Sequence, residues 1–481
     1  MTFPLPLFDE YEKKEKCGLF GVWGTAEASH LCYQGLFAQQ HRGQESAGIA
    51  VVDQAGQING HMGMGLVSQV FPPRMLREDL AGNAAIGHVR YSTTGSSKLC
   101  NAQPLLRQFS MGPVAVAHNG NLINAALLRA EYERLGHIFQ STTDTEIIVH
   151  LLAKPSHLEK ADPLPHVLKH LQGAFSLLFL FPDRMEACRD PWGVRPLSLG
   201  KTVEGQWCVA SETCAFDAIG ATFVREIEPG EIVRIDDSGI HARRFDSPPP
   251  ETAHCVFEHV YFANPASKIF GQTVHTVREA LGRQLAQEAP AAADYVMPMP
   301  DSGRSAALGF AKQSGIPFEE GIVPNRFVGR TFILPNQGQR DRAVAMKLNI
   351  IPDVVNGKRI ILVEDSVVRG TTTRSKMRAL RHAGAKEIHL RVSCPPIRHP
   401  CFYGIDFPTT TELIAHERSV EQIAQFLEVD SLAYLSLDGM LGCLRENKAA
   451  YCTACWSGNY KIPIDQPQSK FSFEREQLKM F

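Results

Sequence analysis

The stretch from Arg359 to Lys376, RIILVEDSVVRGTTTRSK, decides how the second half of the chain reads. Ile360 to Glu364 read as a buried strand that delivers two adjacent carboxylates, Glu364 and Asp365, to its carboxyl end. The loop beyond supplies Arg369, Gly370, Thr371, Thr372 and Thr373 where a helix begins. Glycine permits close backbone approach, the first helical turn presents N–H groups without intrahelical partners, and three hydroxyls add donors. A phosphate monoester suits such a cradle. The two acids beside it would accept a sugar's vicinal hydroxyls directly or through Mg2+, which prefers carboxylate and phosphate oxygens. The plainer reading is that the acids end a strand in solvent and the threonines cap a helix.

Around this stretch the rhythm is strand, loop, helix. ADYVMPMP and GKRIILVED each run into a loop and a helical stretch, the alternation of a parallel α/β sheet, whose ligands sit where strands end. The order of strand, paired acids, glycine and hydroxyls resembles the signature of type I phosphoribosyltransferases, which bind phosphoribosylpyrophosphate with Mg2+. That resemblance implies a second loop for the pyrophosphate, and VMPMPDSGRSAALGF offers Asp301, Ser302 and Gly303, with Ser302 joining Glu364 and Asp365 around the metal. An ordinary turn and helix cap is the alternative there. Between the two loops, Arg326, Arg330, Arg340, Arg342 and Lys347 form a basic stretch that would close over pyrophosphate and exclude water, or else is a solvated charge run.

The first half has a different texture. From Cys17 onward, short strands such as CGLFGVWG, AGIAVV, VAVAHNG and FSLLFLF alternate with glycine-rich turns and a few helical stretches, as stacked sheets with covering helices would. Residues 1–16, MTFPLPLFDEYEKKEK, read as a flexible extension. If they are removed, Cys17 gains a free α-amino group of reference pKa about 7.7–8.0, able to act through water as the base for its own thiol. An oxyanion hole is available in AHNGNL, from the Asn119 side chain and the unobstructed Gly120 N–H. Asn-Gly equally favours a tight hairpin turn. Arg90 in GHVRYSTTG and Asp144 in STTDTE are the cation and acid a glutamine headgroup needs.

These motifs, with QQHRGQESAG around Arg42, resemble the glutamine amide transfer domain of the N-terminal-nucleophile hydrolases. The resemblance implies Cys17 as nucleophile, Asn119 and Gly120 as oxyanion hole, Arg90 and Asp144 as glutamine anchors, and Arg42 in a supporting role. It also implies an α+β sandwich of αββα layers, followed by the α/β type I phosphoribosyltransferase domain with its parallel sheet. The expected division is a propeptide at 1–16, an amidotransferase domain at 17–245, a phosphoribosyltransferase domain at 246–465 and a tail at 466–481. The proline-rich RRFDSPPPETAH marks the joint.

A chain of 481 residues exceeds what one core usually serves, and its formal net charge of -2 offers nothing to nucleic acid. No apolar stretch approaches the roughly 20 residues of a membrane span, and the start lacks a signal peptide's order, so a soluble cytoplasmic protein without a membrane partner is expected. Twelve cysteines in such a chain point to metal or catalysis rather than disulfides.

Taken together, the halves resemble the glutamine phosphoribosylpyrophosphate amidotransferases of purine synthesis, in their iron–sulfur-containing branch. That implies transfer of ammonia to the activated ribose to give 5-phosphoribosylamine, with purine nucleotides as feedback inhibitors and a homotetramer or dimer. It further implies a [4Fe-4S] cluster on Cys255, Cys401, Cys452 and Cys455. Cys394 is a rival for the third place, and structural zinc or free buried thiols are the alternatives for the set. The segment VYFANPASKIFG, Val260 to Gly271, lies beside the expected junction but departs from the commoner RPDS wording. A nucleotide-sensing regulator on the same second domain is the rival function, though it leaves Cys17, Asn119, Arg90 and Asp144 idle.

Overall fold

Strand Gly18–Trp23 is buried along its whole length, which a strand achieves only when both of its faces are covered. Its alternate side chains part to two cores. Leu19 joins Ala117, Leu178 and Val209 on one side, while Phe20 and Val22 join Leu36, Val51 and Phe216 on the other. Full burial of a side chain such as Phe20 contributes roughly 1.5–3 kcal/mol. The computed structural model describes residues 17–91, 97–325, 348–406, 409–445 and 447–464. The extension 1–16, the basic residues Arg326, Arg330, Arg340, Arg342 and Lys347, and the tail 466–481 lie outside them.

Gly18–Trp23 occupies the middle of an antiparallel sheet of order Thr222–Glu226, Ser198–Lys201, Trp207–Ala210, Gly18–Trp23, Ala84–Arg90, Ser46–Val52, Ile58–Met64. A second antiparallel sheet stacks on it, in the order Gly239–Arg244, Glu231–Asp236, Arg184–Arg189, Gly173–Phe181, Gly112–Leu122, Leu105–Phe109. Helix Ala28–Ala38 sends Cys32 and Leu36 onto the outer face of the first sheet. Helices Ala125–Arg134 and Glu146–Leu152 send Leu128, Tyr132, Ile147 and Leu151 onto the outer face of the second. Helix, sheet, sheet, helix is the layering the front half was expected to have. Asn119 and Gly120 are not a hairpin turn: they lie inside Gly112–Leu122, opposite Ser176 and Phe175.

Beyond the proline-rich joint the second unit begins with strand His254–Cys255, which pairs in parallel with Tyr451–Cys452 near the end of the described chain. Its main sheet is parallel, in the order Tyr295–Pro298, Arg359–Glu364, Glu387–Val392, Ser431–Tyr434. Ile360 to Val363 are fully buried because helices cover both faces. Leu281, Leu285, Ala306 and Phe310 come from helices Val274–Glu288 and Arg304–Ser314, and Met377 and Leu380 from Thr371–His382. Among the described residues no helix is long and apolar enough to cross a membrane.

Candidate active site

Cys17 immediately precedes strand Gly18–Trp23, and the register that sets Gly18 against Val89 brings it beside Arg90. The thiol is 8% exposed and donates a long contact of 3.6 Å to the Tyr91 carbonyl. Burial pushes it up to about 11, opposed by the Tyr91 contact and the Arg90 charge and assisted by the carboxylates of Glu45 and Asp144. The Cys17 thiol, the Arg90 cation and the Asp144 acid therefore share one neighbourhood. At neutral pH such a thiol is protonated, so a base must accompany any attack.

Arg90 donates to Glu45 Oε1 at 2.6 Å, a partner the sequence did not suggest, although Glu45 stands inside the motif around Arg42. Asp144 Oδ2 accepts from the Leu122 N–H at 2.9 Å, and Oδ1 lies 3.6 Å from His118 Nδ1. Burial opposes its charge, but His118, the Leu122 N–H and Arg90 prevail and hold the carboxyl below the usual carboxylate range. An acid that stays anionic can receive an ammonium. The Asn119 side chain reaches the Ser211 hydroxyl at 3.5 Å, and that same hydroxyl accepts from Leu19 N at 3.0 Å, two residues beyond Cys17. Gly120 has φ +155°, and a Cβ there would sit 2.0 Å from the Ala174 carbonyl oxygen. Only glycine lets the strand lie so close.

Arg42, held to be supportive, touches the backbone of Cys17 itself: its Nε donates to the Cys17 carbonyl at 3.0 Å. Its two terminal nitrogens form a fork with Glu258, both at 3.0 Å, and one also meets Glu212. All three side chains are fully buried. Glu212 further accepts from His41 Nε2 at 2.9 Å, the Asn264 N–H at 2.8 Å and the Ser267 hydroxyl at 2.7 Å. Burial acts against its charge, yet His41 and Arg42 hold it far below the usual range. The segment Val260 to Gly271, whose unusual wording left its role open, thus clasps the front unit through Asn264 and Ser267.

At the rear, parallel pairing sets Met297 and Pro298 beside Leu362 and Val363, so both candidate loops leave the same end of the sheet. There the Ser302 hydroxyl donates to Asp365, whose other oxygen accepts from Ser366 at 2.5 Å. Glu364 and Asp365 are 4% and 1% exposed, which removes the reading of acids ending a strand in solvent. Lys376 Nζ lies 3.9 Å from Glu364. Asp301 is exposed, and Gly303 precedes helix Arg304–Ser314 with its N–H on the Met299 carbonyl at 3.0 Å. Gly370, at φ +78°, turns the chain into helix Thr371–His382, and a Cβ there would meet Ile414 Cδ1 at 2.6 Å. Thr371 is exposed, Thr372 half-buried and Thr373 buried. Arg369 pairs with Glu412. A cavity of about 480 Å³ opens beside the Asp301 loop, lined by Pro300, Asp301, Arg304, Glu320, Asn325 and Asn349.

The four candidate cluster cysteines come from distant segments of the rear unit. Cys255 pairs with Cys452 across the short parallel ladder, and the Tyr403 N–H donates to Cys401 Sγ at 3.4 Å. Burial pushes all four thiols up, Cys452 to about 12, and each of Cys401, Cys452 and Cys455 is raised further by others of the set. Arg195 acts in the opposite sense on Cys255, Cys401 and Cys452. Cys394 also raises Cys455, and its thiol donates to its own neighbour, the Pro395 carbonyl, at 3.3 Å. Among the described residues no three donors converge as one bare ion requires.

Comparison with known proteins agrees with both halves. Residues 88–218 match the family described as glutamine amidotransferase domain. The amidophosphoribosyltransferase of Synechococcus elongatus is 48% identical over 461 residues, covering 94% of this chain and 92% of that protein. The chloroplastic enzyme of the same name from Glycine max is 46% identical over 485 residues, 98% of this chain and 85% of that protein. Among solved structures, the glutamine phosphoribosylpyrophosphate amidotransferase of B. subtilis, complexed with ADP and GMP, superposes with a TM-score of 0.88 at 44% identity, covering 95% of this chain and all of that one.

Proposed function

The chain belongs to the amidophosphoribosyltransferase family, and on that footing we propose how its two units divide the work. The reaction takes ammonia from the amide of glutamine and gives it to phosphoribosylpyrophosphate, yielding 5-phosphoribosylamine, glutamate and pyrophosphate, the first step of purine synthesis. Removal of residues 1–16 frees the α-amine of Cys17, whose reference pKa of about 7.7–8.0 lets it take the thiol proton through water. The thiolate attacks the amide carbon while Asn119 Nδ2 and the Gly120 N–H receive the oxyanion. Arg90 holds the substrate carboxylate and Asp144 its ammonium. Ammonia departs, and water then releases glutamate from the Cys17 thioester.

In the rear unit the 5-phosphate rests on the turn Gly370, Thr371, Thr372 and Thr373, with Arg369 beside it. Glu364 and Asp365 take the vicinal hydroxyls, and Asp301, Ser302 and Gly303 face the pyrophosphate. Arg330 belongs to the basic stretch expected to cover the leaving group. Ammonia attacks the anomeric carbon as its bond to pyrophosphate breaks. Water must be excluded, since protonated ammonia has no lone pair to offer. The Ser302 contact to Asp365 joins the two loops and supports Ser302, Glu364 and Asp365 as the Mg2+ ligands; bound there, Mg2+ supplies positive charge against the departing pyrophosphate.

Cys255, Cys401, Cys452 and Cys455 would hold a [4Fe-4S] cluster. The charge each of them places on others of the set, and their cost as bare buried thiolates, support a bound cationic centre. One zinc asks four sulfurs to meet at about 2.3 Å from a single point, whereas a core of four irons accepts thiolates set further apart. Bound there, such a centre would supply structure, because the reaction has no redox step. Purine nucleotides, as in the B. subtilis relative solved with ADP and GMP, are proposed to inhibit at the sugar-phosphate cradle. A homotetramer or dimer and a cytoplasmic setting complete the proposal. A nucleotide-sensing regulator would leave the Cys17 site unused and is not favoured.

The observation that carries this reading is the presence in one chain of a buried Cys17 thiol beside Arg90 and Asp144 and of a buried acid pair, Glu364 and Asp365, at the strand end before the Gly370 turn. Its test is Cys17→Ser. Glutamine-dependent product formation is expected to vanish while ammonia-dependent formation continues. Glutamine use at the wild-type rate would refute the assignment.

A further inference from the structure

The two candidate sites lie in different units, yet one chain of buried charges joins the backbone of Cys17 to the cysteine-bearing strand of the rear unit. Arg42 Nε holds the Cys17 carbonyl at 3.0 Å, and its other nitrogens grip both oxygens of Glu258 at 3.0 Å. Glu258 lies three residues beyond Cys255 and opens a π-helical turn, Glu258–Phe262, in which the Ala263 N–H returns to the Glu258 carbonyl at 3.0 Å. Arg195 completes the chain. It donates to Glu258 Oε1 at 3.3 Å and to the Tyr403 carbonyl, while the Tyr403 N–H points at Cys401 Sγ.

Every charged side chain on this path is fully buried. Removing one member of such a set leaves an uncompensated charge, so the arrangement tolerates little displacement of either end. A fork between a guanidinium and a carboxylate is also directional, fixing angle as well as distance. The position of the Cys17 backbone is therefore tied to where the segment Cys255–Glu258 sits. That segment sits where Cys255 pairs with Cys452.

We infer that Glu258 is a positioning residue for glutamine cleavage: held by Arg195 and acting through Arg42, it sets the Cys17 thiol against its oxyanion donors. This rests on the reading of Cys17 as the glutaminase nucleophile. Glu258 is fully buried against Arg42 and Arg195 and is assigned no contact with either substrate. Its contribution is orientation, and a displacement of about 1 Å at a reacting centre is enough for roughly 100-fold in rate.

The test uses the full-length protein and an electrophilic diazoketone analogue of glutamine, which alkylates the nucleophilic thiol without any need for phosphoribosyl transfer. Glu258→Gln keeps shape and removes charge. It should slow alkylation of Cys17 on the order of 100-fold, and lower kcat for glutamine hydrolysis by a similar factor with little change in KM. Ammonia-dependent product formation, which bypasses Cys17, should stay within about twofold.

Because the loss of a buried carboxylate can unfold a chain, Arg195→Lys is measured in parallel. It retains the charge but loosens the hold on Glu258 and Tyr403, and at least threefold slower alkylation is expected. If Glu258→Gln lacks ammonia-dependent activity, Arg195→Lys alone decides. Wild-type alkylation rates in the folded variants, with Cys17→Ser unlabelled, would overturn the positioning role and leave the nucleophile standing. Labelling that persists in Cys17→Ser would overturn the nucleophile, and this inference with it.

Discussion

Gly120→Ala puts the oxyanion assignment under direct strain. The added methyl would lie 2.0 Å from the Ala174 carbonyl oxygen, 2.7 Å from its carbon and 2.9 Å from His118 Nε2. Restoring ordinary contact at about 3.4 Å requires the strands Gly112–Leu122 and Gly173–Phe181 to part by more than 1 Å at the Gly120–Phe175 pair. Overpacking of this kind costs about 1–3 kcal/mol, and φ +155° adds about 1–2 kcal/mol for a residue with a Cβ. A total near 3 kcal/mol lowers the melting temperature of a domain this size by roughly 6–12 °C. The catalytic effect should be sharper, because a displaced oxyanion donor costs about 100- to 1,000-fold in kcat. The assay is paired: glutamine-dependent and ammonia-dependent product formation on one preparation, with a thermal melt. Loss of the first with retention of the second is expected. Wild-type glutamine turnover, with the melt unmoved, would refute the role of Gly120 and the close strand approach behind it.

Asp365→Asn should abolish product formation from both nitrogen sources, by at least about 100-fold, while glutamine hydrolysis at Cys17 persists; equal loss of hydrolysis would argue against separate sites. Alkylation of Cys17 across pH distinguishes the two states of its terminus. In a chain retaining residues 1–16 the buried thiol, raised to about 11, stays protonated below that pH and reacts only as pH rises through it. In the processed chain the α-amine serves as base, so reaction should hold down to about pH 8 and fall below it. A shared profile would remove the amine from the account. Cys401→Ser should lose bound iron and visible absorbance, and Cys394→Ser should keep both, since Cys401 is raised by Cys255 and itself raises Cys452 and Cys455; the opposite pattern would exchange their roles.

The parts legible in the sequence were those written locally. Ile360 to Glu364 announce a buried strand because four adjacent apolar residues suit a sheet covered on both faces, and the Gly370 turn follows in the same eighteen-residue stretch. CGLFGVWG likewise shows its double burial once alternate side chains are seen to be apolar on both faces. Asn119 and Gly120 resisted reading because turn and strand share the same two letters. Only the partner strand Gly173–Phe181, with a carbonyl pressed against Gly120, separates them. The pairing of Arg42 with Glu258 joins residues 216 apart, and that of Arg195 with Tyr403 spans 208, so no local pattern carries them. Glu45 was within view as a neighbour of Arg42, but its service to Arg90 depends on the register of Ser46–Val52 against Ala84–Arg90.

Nitrogen freed at Cys17 is expected to end on the ribose bound at the Gly370 turn. Isotope transfer measures this directly: glutamine labelled with 15N in its amide is supplied with phosphoribosylpyrophosphate and excess unlabelled ammonium below pH 7, and the trapped product is weighed. The expected product carries 15N with the wild-type chain and only unlabelled nitrogen with Cys17→Ser. Product from the wild-type chain that bears the isotope ratio of the surrounding ammonium, while labelled ammonia accumulates in solution, would contradict the coupling of the two units.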